Sequence, residues 1–107
     1  MKKTYYPTIK ETVYHEKMSN GLNVYLMPKD GFTKTYGLFS TRFGSIDRSF
    51  IPLGETDCIT VPDGVAHFLE HKMFDMEDGD ASEKFAALGA SSNAFTSHSR
   101  TAYLFNT

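Results

Sequence analysis

A single cysteine, Cys58, stands in the 107 residues, so no disulfide can close within the chain and no cysteine-rich metal spacing exists. Long apolar runs are missing as well. The opening stretch, MKKTYYPTIKETVY, carries two lysines without the apolar segment of a signal peptide, and no run is long enough to cross a bilayer. A cytoplasmic location with no membrane partner is therefore expected. Basic excess is also absent: 11 Lys and Arg face 13 Asp and Glu, a formal charge of -2. Nucleic acid is not an expected partner, because binding it normally needs a concentrated basic surface. No repeat, low-complexity tract or linker interrupts the chain, so residues 1–107 are expected to form one folding unit.

What is present is ordinary soluble-domain composition, 40% hydrophobic and 22% charged. Asn20-Gly21 lies between two strand-like runs and tolerates the positive φ of a tight turn, which predicts a β-hairpin. On its second arm Leu22, Val24 and Leu26 alternate with Asn23, Tyr25 and Met27, the pattern of a strand with one face on a core. After the breaker Pro28-Lys29-Asp30-Gly31, the aromatic and β-branched run FTKTYGLFSTRFGS is expected to pair back on the hairpin as a third antiparallel strand. Ile46 to Pro62, with Pro52 and Gly54, reads as a surface loop.

A helix is predicted over Gly64 to Phe74 with Asp63 as N-cap, where its carboxylate can accept free backbone N–H groups. A shorter helix follows through SEKFAALG, capped by Asp80 or Ser82 and closed by Gly89. A final strand, SSNAFTSHSRTAYLFN, is expected to run to the end. The expected class is α+β, an antiparallel or mixed sheet with helices packed on one face.

The first helix carries the chemistry. In HFLEH, His67 and His71 stand one turn apart with Glu70 beside the second. With His67 at zero on a wheel of about 100° per residue, His71 falls near 40°, Glu70 near 300° and Phe74 near 340°. The three polar groups share a face. Val65, Ala66, Leu69 and Met73 fall between about 160° and 260°, an apolar arc suited to packing on a sheet.

Two histidines at i and i+4 can aim ring nitrogens at one Zn2+, which lowers the pKa of a bound water toward about 7. A neighbouring carboxylate can then take the proton from that water. The same three residues could equally form a half-exposed polar surface cluster. H-x-x-E-H is the inverzincin pattern, the reverse of H-E-x-x-H, yet five residues alone leave both readings open.

The wider context is more specific. VAHFLEHKMF, followed by a short helix and then GASSNAFTSHSRTAYLF, resembles the insulinase/pitrilysin (M16) family of zinc peptidases, whose members carry HxxEH on a helix and an Asn-Ala-x-Thr strand soon after. NGLNVYLMPK and YGLFSTRFGSIDR resemble the family's first hairpin, so the likeness runs from about Asn20 onward. It implies a partial LuxS/MPP-like metallohydrolase domain, with residues 1–107 as the N-terminal part of a single M16-like peptidase domain. It further implies His67 and His71 as ligands of zinc (Zn2+), Glu70 as catalytic base, and Ser92, Asn93, Ala94 and Phe95 as an edge strand holding a peptide substrate. An edge strand's unpaired N–H and C=O groups can take a peptide as one more strand.

The resemblance also implies a third ligand, a Glu beyond Thr107, and a second M16-like half or subunit that closes the site. Without these the chain alone is expected to be inactive, and its uncovered apolar sheet surface could drive self-association. Asp75, Glu77, Asp78 and Asp80 read as solvated loop acids. His15, His98, Thr96 and Tyr103 read as ordinary strand residues. The expected function is zinc-dependent endopeptidase action on peptides or small unfolded proteins. The alternative is a non-catalytic peptide-binding or assembly subunit of an M16-type complex.

Overall fold

The computed structural model describes all 107 residues, and their contacts divide the chain into two compact units, Met1–Thr33 and Lys34–Thr107. In the first unit, strands β1 (Lys2–Tyr6), β2 (Glu11–Lys17) and β3 (Asn23–Leu26) form an antiparallel sheet in the order β1-β2-β3. The expected Asn20-Gly21 turn joins β2 to β3. Gly21 takes φ 89°, and the loop is closed by Gly21 N–H to Met18 O at 2.9 Å and Met18 N–H to Leu22 O at 2.7 Å. His15 stacks on Tyr25, with centroids 4.5 Å apart, and its Nε2 lies 2.9 Å from Asn23 Oδ1.

The second unit holds β4 (Tyr36–Thr41), the short pair β5 (Ser49–Phe50) and β6 (Ile59–Thr60), helix α1 (Val65–Phe74), the short pair β7 (Asp75–Met76) and β8 (Gly79–Asp80), helix α2 (Ala81–Ala87), and strands β9 (Ser91–Thr96) and β10 (Thr101–Asn106). Its main sheet is antiparallel in the order β4-β10-β9. The α+β class with helices on one face is borne out. Side chains alternate across a strand, so Thr96, Tyr103 and Phe105 share a face, and all three meet helices. Thr96 bonds Glu70, Phe74 packs on Tyr103 with centroids 6.0 Å apart, and Phe85 stacks on Phe105 at 5.7 Å.

Three strand and loop expectations are corrected. The run after Gly31 does not become the hairpin's third strand. Its β4 pairs with β10, and the hairpin's third strand is β1. Within that pairing Gly37 lies in register with Phe105 and, lacking a side chain, leaves room for its ring. Residues 91–106 are two strands rather than one: Ser97 N–H donates to Arg100 O at 2.7 Å, closing a tight turn over His98 and Ser99. The loop from Ile46 to Pro62 contains the small β5-β6 ladder, tied by Ser49 Oγ and Thr60 Oγ1 at 2.9 Å.

Both helices lie where expected, but α1 starts differently. Its N-cap is Gly64, at φ 88° and without a side-chain cap, while Asp63 faces Arg48 at 3.2 Å. Helix α2 is capped by Asp80, which accepts from Ser82 N–H at 2.7 Å, and Gly89 at φ 74° follows its end.

Candidate metal centre

Helix α1 is rotated relative to the face its apolar residues predict. Ala66 and Glu70 are its buried residues, at 4% and 8% exposure, and Phe74 is half-buried, whereas Leu69 and Met73 stay exposed. The sheet-facing arc thus runs from about 260° to 340° on the wheel rather than from 160° to 260°. Two contacts explain the rotation. Ala66 is small enough for close approach, and Thr96 on β9 offers Glu70 a hydrogen bond that an apolar side chain could not use. Thr96 Oγ1 donates to Glu70 Oε2 at 2.6 Å. A carboxylate turned toward a sheet needs such a partner, since leaving it bare would cost its full desolvation.

The same rotation sets His67 and His71 at the exposed border of the buried arc. Their Nε2 atoms stand 3.1 Å apart, with ring centroids separated by 4.8 Å. Two imidazole nitrogens bound to one tetrahedral zinc at about 2.05 Å would be about 3.3 Å apart, so the pair is spaced for a shared ion. An N–H of one ring bonding the bare nitrogen of the other has the same spacing. Ligand atoms of His67, Glu70 and His71 all lie within 4.8 Å of one another, and no other group of three or more potential metal ligands forms. The nearby acids are engaged elsewhere: Asp75 with Lys72 at 3.0 Å, Asp78 with Lys84 at 2.6 Å, and Asp80 at the α2 cap. A two-histidine donor set fits zinc in kind and spacing but is one protein ligand short of the usual catalytic three.

Beneath the cluster lies Tyr103. Its removal from solvent pushes the phenol above its ordinary pKa, and the charge of Glu70 raises it further. Sequence reasoning missed both Thr96 and Tyr103 as neighbours of Glu70. The usable signal was alternation along β9, which puts Thr96 on the same face as Ala94.

Ser92, Asn93, Ala94 and Phe95 lie on β9, an edge strand of its sheet. Hydrogen bonding alternates along an antiparallel pair. Since Ser97 bonds Arg100, the Ala94–Tyr103 pair is one whose β9 member points its N–H and C=O to the open edge. That N–H is held by the neighbouring side chain: Asn93 Oδ1 accepts it at 2.8 Å. Ser92 Oγ is enclosed without a hydrogen-bond partner, and Arg100 lies over the Phe95 ring at 5.7 Å. His98 joins Ser45 at the β9-β10 turn, 3.2 Å between Oγ and Nδ1, outside the cluster.

This arrangement agrees with what the chain is similar to. The model of the insulinase family, peptidase family M16, matches residues 60–107, which contain α1, α2, β9 and β10. A Bacillus subtilis (strain 168) protein described as an uncharacterized zinc protease, YmfH, is 60% identical over 101 residues, 94% of this chain and 24% of its own length. The crystal structure of an M16-like peptidase from Alicyclobacillus acidocaldarius superimposes with a TM-score of 0.80 at 45% identity, covering 90% of this chain and 22% of the other. The resemblance to the M16 family is borne out, with the family model matching residues 60–107. The chain spans about a quarter of the length of the curated relative it matches.

Proposed function

We propose that this chain supplies the water-activating helix and the substrate strand of a zinc-dependent endopeptidase acting on peptides or small unfolded proteins. The observation that carries the reading is the pair of Nε2 atoms 3.1 Å apart with Glu70 beside them. His67 and His71 would hold the ion, with a further ligand from outside residues 1–107. Bound zinc supplies Lewis acidity and a water of lowered pKa.

The chain's own residues do the rest. Glu70, with one oxygen held by Thr96, takes the proton of the attacking water and passes it to the leaving amine. No nucleophilic side chain or acyl-enzyme is needed. The substrate lies along β9 as an added strand, its backbone exchanging hydrogen bonds with Ala94 and taking over the N–H now held by Asn93. Backbone pairing of this kind is largely indifferent to side chains, which suits a peptidase of extended segments.

A second M16-like half or subunit is the proposed partner that closes the cleft. On the sheet face opposite the helices, Tyr36, Leu38 and Phe95 remain exposed, and covering them would drive either that docking or self-association of the segment. A cytoplasmic location remains part of the proposal.

The test is Glu70→Gln in the full-length protein. Zinc content should stay near one per chain while turnover falls by at least about 100-fold, the usual weight of general acid–base catalysis. A variant that keeps turnover removes Glu70 from the reaction. Wild-type protein that is metal-free after gentle purification, and indifferent to added zinc, removes the peptidase reading itself.

A further inference from the structure

We infer that Thr96 is a positioning residue for Glu70, fixing which carboxylate oxygen faces the imidazole pair. The inference rests on Glu70 acting as the base and goes one step beyond it, since it assigns a role to a residue on a different element.

Thr96 Oγ1 donates to Oε2 of Glu70 at 2.6 Å, short for a hydroxyl and typical of a charge-assisted bond. The bond joins α1 to β9 across 26 residues of sequence, so the carboxylate is held from the sheet rather than from its own helix. Glu70 retains only 8% exposure, which leaves water little room to replace the donor. With Oε2 engaged on the sheet side, Oε1 is the oxygen free to accept from a water beside His67 and His71.

Thr96 is itself held rigidly. Its β-branched side chain has few χ1 options on a strand, and its register partner Thr101, only 2% exposed, donates to Phe43 O at 2.6 Å. The donor therefore sits at the closed end of the β9-β10 hairpin, where the tight turn and the Thr101 bond allow little movement. A base whose carboxylate is fixed before substrate arrives avoids reorganisation in the transition state.

The experiment uses full-length protein carrying Thr96→Val, which keeps the shape and deletes the hydroxyl, alongside Thr96→Ser, which restores it, and Glu70→Gln. Thr96→Val should lower kcat about 10- to 100-fold, the order expected for a misplacement near 1 Å. KM should stay within about two-fold, zinc content should be unchanged, and Thr96→Ser should recover most of the rate. Independently of activity, the crystal structure of Thr96→Val should show the Glu70 carboxylate rotated or split between positions.

An unshifted carboxylate together with an unchanged kcat overturns the inference, as does a serine variant no better than valine. If valine fails to fold, Thr96→Ala with the same two readouts decides in its place. The two levels of the argument separate cleanly: an active Glu70→Gln sinks the base, whereas an inactive Glu70→Gln beside a fully active Thr96→Val sinks only the positioning role.

Discussion

Asn93 holds the backbone N–H of its own neighbour Ala94, with Oδ1 2.8 Å from the nitrogen, at the open edge of the β4-β10-β9 sheet. The bond blunts an edge that would otherwise present a bare donor. It also marks a hydrogen that an incoming peptide strand would have to claim.

Ala94→Pro tests that edge directly. The Ala94 N–H takes no part in the ladder with Tyr103, and proline is tolerated on edge strands where the N–H faces outward. The variant should fold, retain zinc and melt within a few degrees of wild type. Its KM for peptides should rise about tenfold, the equivalent of one lost hydrogen bond of about 1.4 kcal/mol. Unaltered peptide kinetics would exclude strand addition at this position.

Much of the site was legible because its signals are local. Histidines one turn apart need only a helix to converge, and VAHFLEHKMF forms one. Asn20-Gly21 and Gly89 adopt the turn and the helix end their chemistry favours. What stayed hidden depends on partners distant in sequence. The pairing of β4 with β10 joins Tyr36 to Asn106 across most of the second unit, and no local pattern announces it. Helix rotation was misjudged for a related reason: hydrophobicity points Leu69 and Met73 inward, but Thr96, 26 residues beyond Glu70, draws the carboxylate to the sheet. The N-cap was misplaced because Gly64 supplies a positive φ, which relieves Asp63 of that task.

Tyr103 gives a pH signature. Burial first, and the Glu70 charge second, raise its pKa, so the neutral phenol is the form the fold favours. The associated stability is fully present below the unfolded phenol's value of about 10 and is lost as pH climbs through the raised folded value. In metal-free protein, phenolate absorbance should show a late-titrating component that Tyr103→Phe abolishes. Glu70→Gln should bring that component to lower pH. Six tyrosines titrating together would contradict the assignment.

Two glycines allow a comparison of rigid and yielding neighbours. A side chain at Gly44 would run into the backbone of His98 and Ser99, whereas one at Gly37 would meet only the Phe105 ring. Gly44 is buried, and its N–H donates to Asp47 Oδ2 at 2.7 Å. Backbone cannot swing aside, so Gly44→Ala should cost about 3 kcal/mol and Gly37→Ala about 1–2 kcal/mol, because a ring can tilt. Denaturant unfolding of the two variants provides the ranking, and a reversed order would contradict this packing.

The start of helix α1 reaches beyond stability. With Gly64 as its cap and no acid in its first turn, the helix carries His71 and Lys72 in its last turn and ends at Phe74. His67 in the first turn and His71 in the last therefore stand toward opposite poles of the summed peptide dipoles. An ion shared by the two rings would sit between those poles, so the backbone dipole gives it no net hold and its retention rests on the side chains.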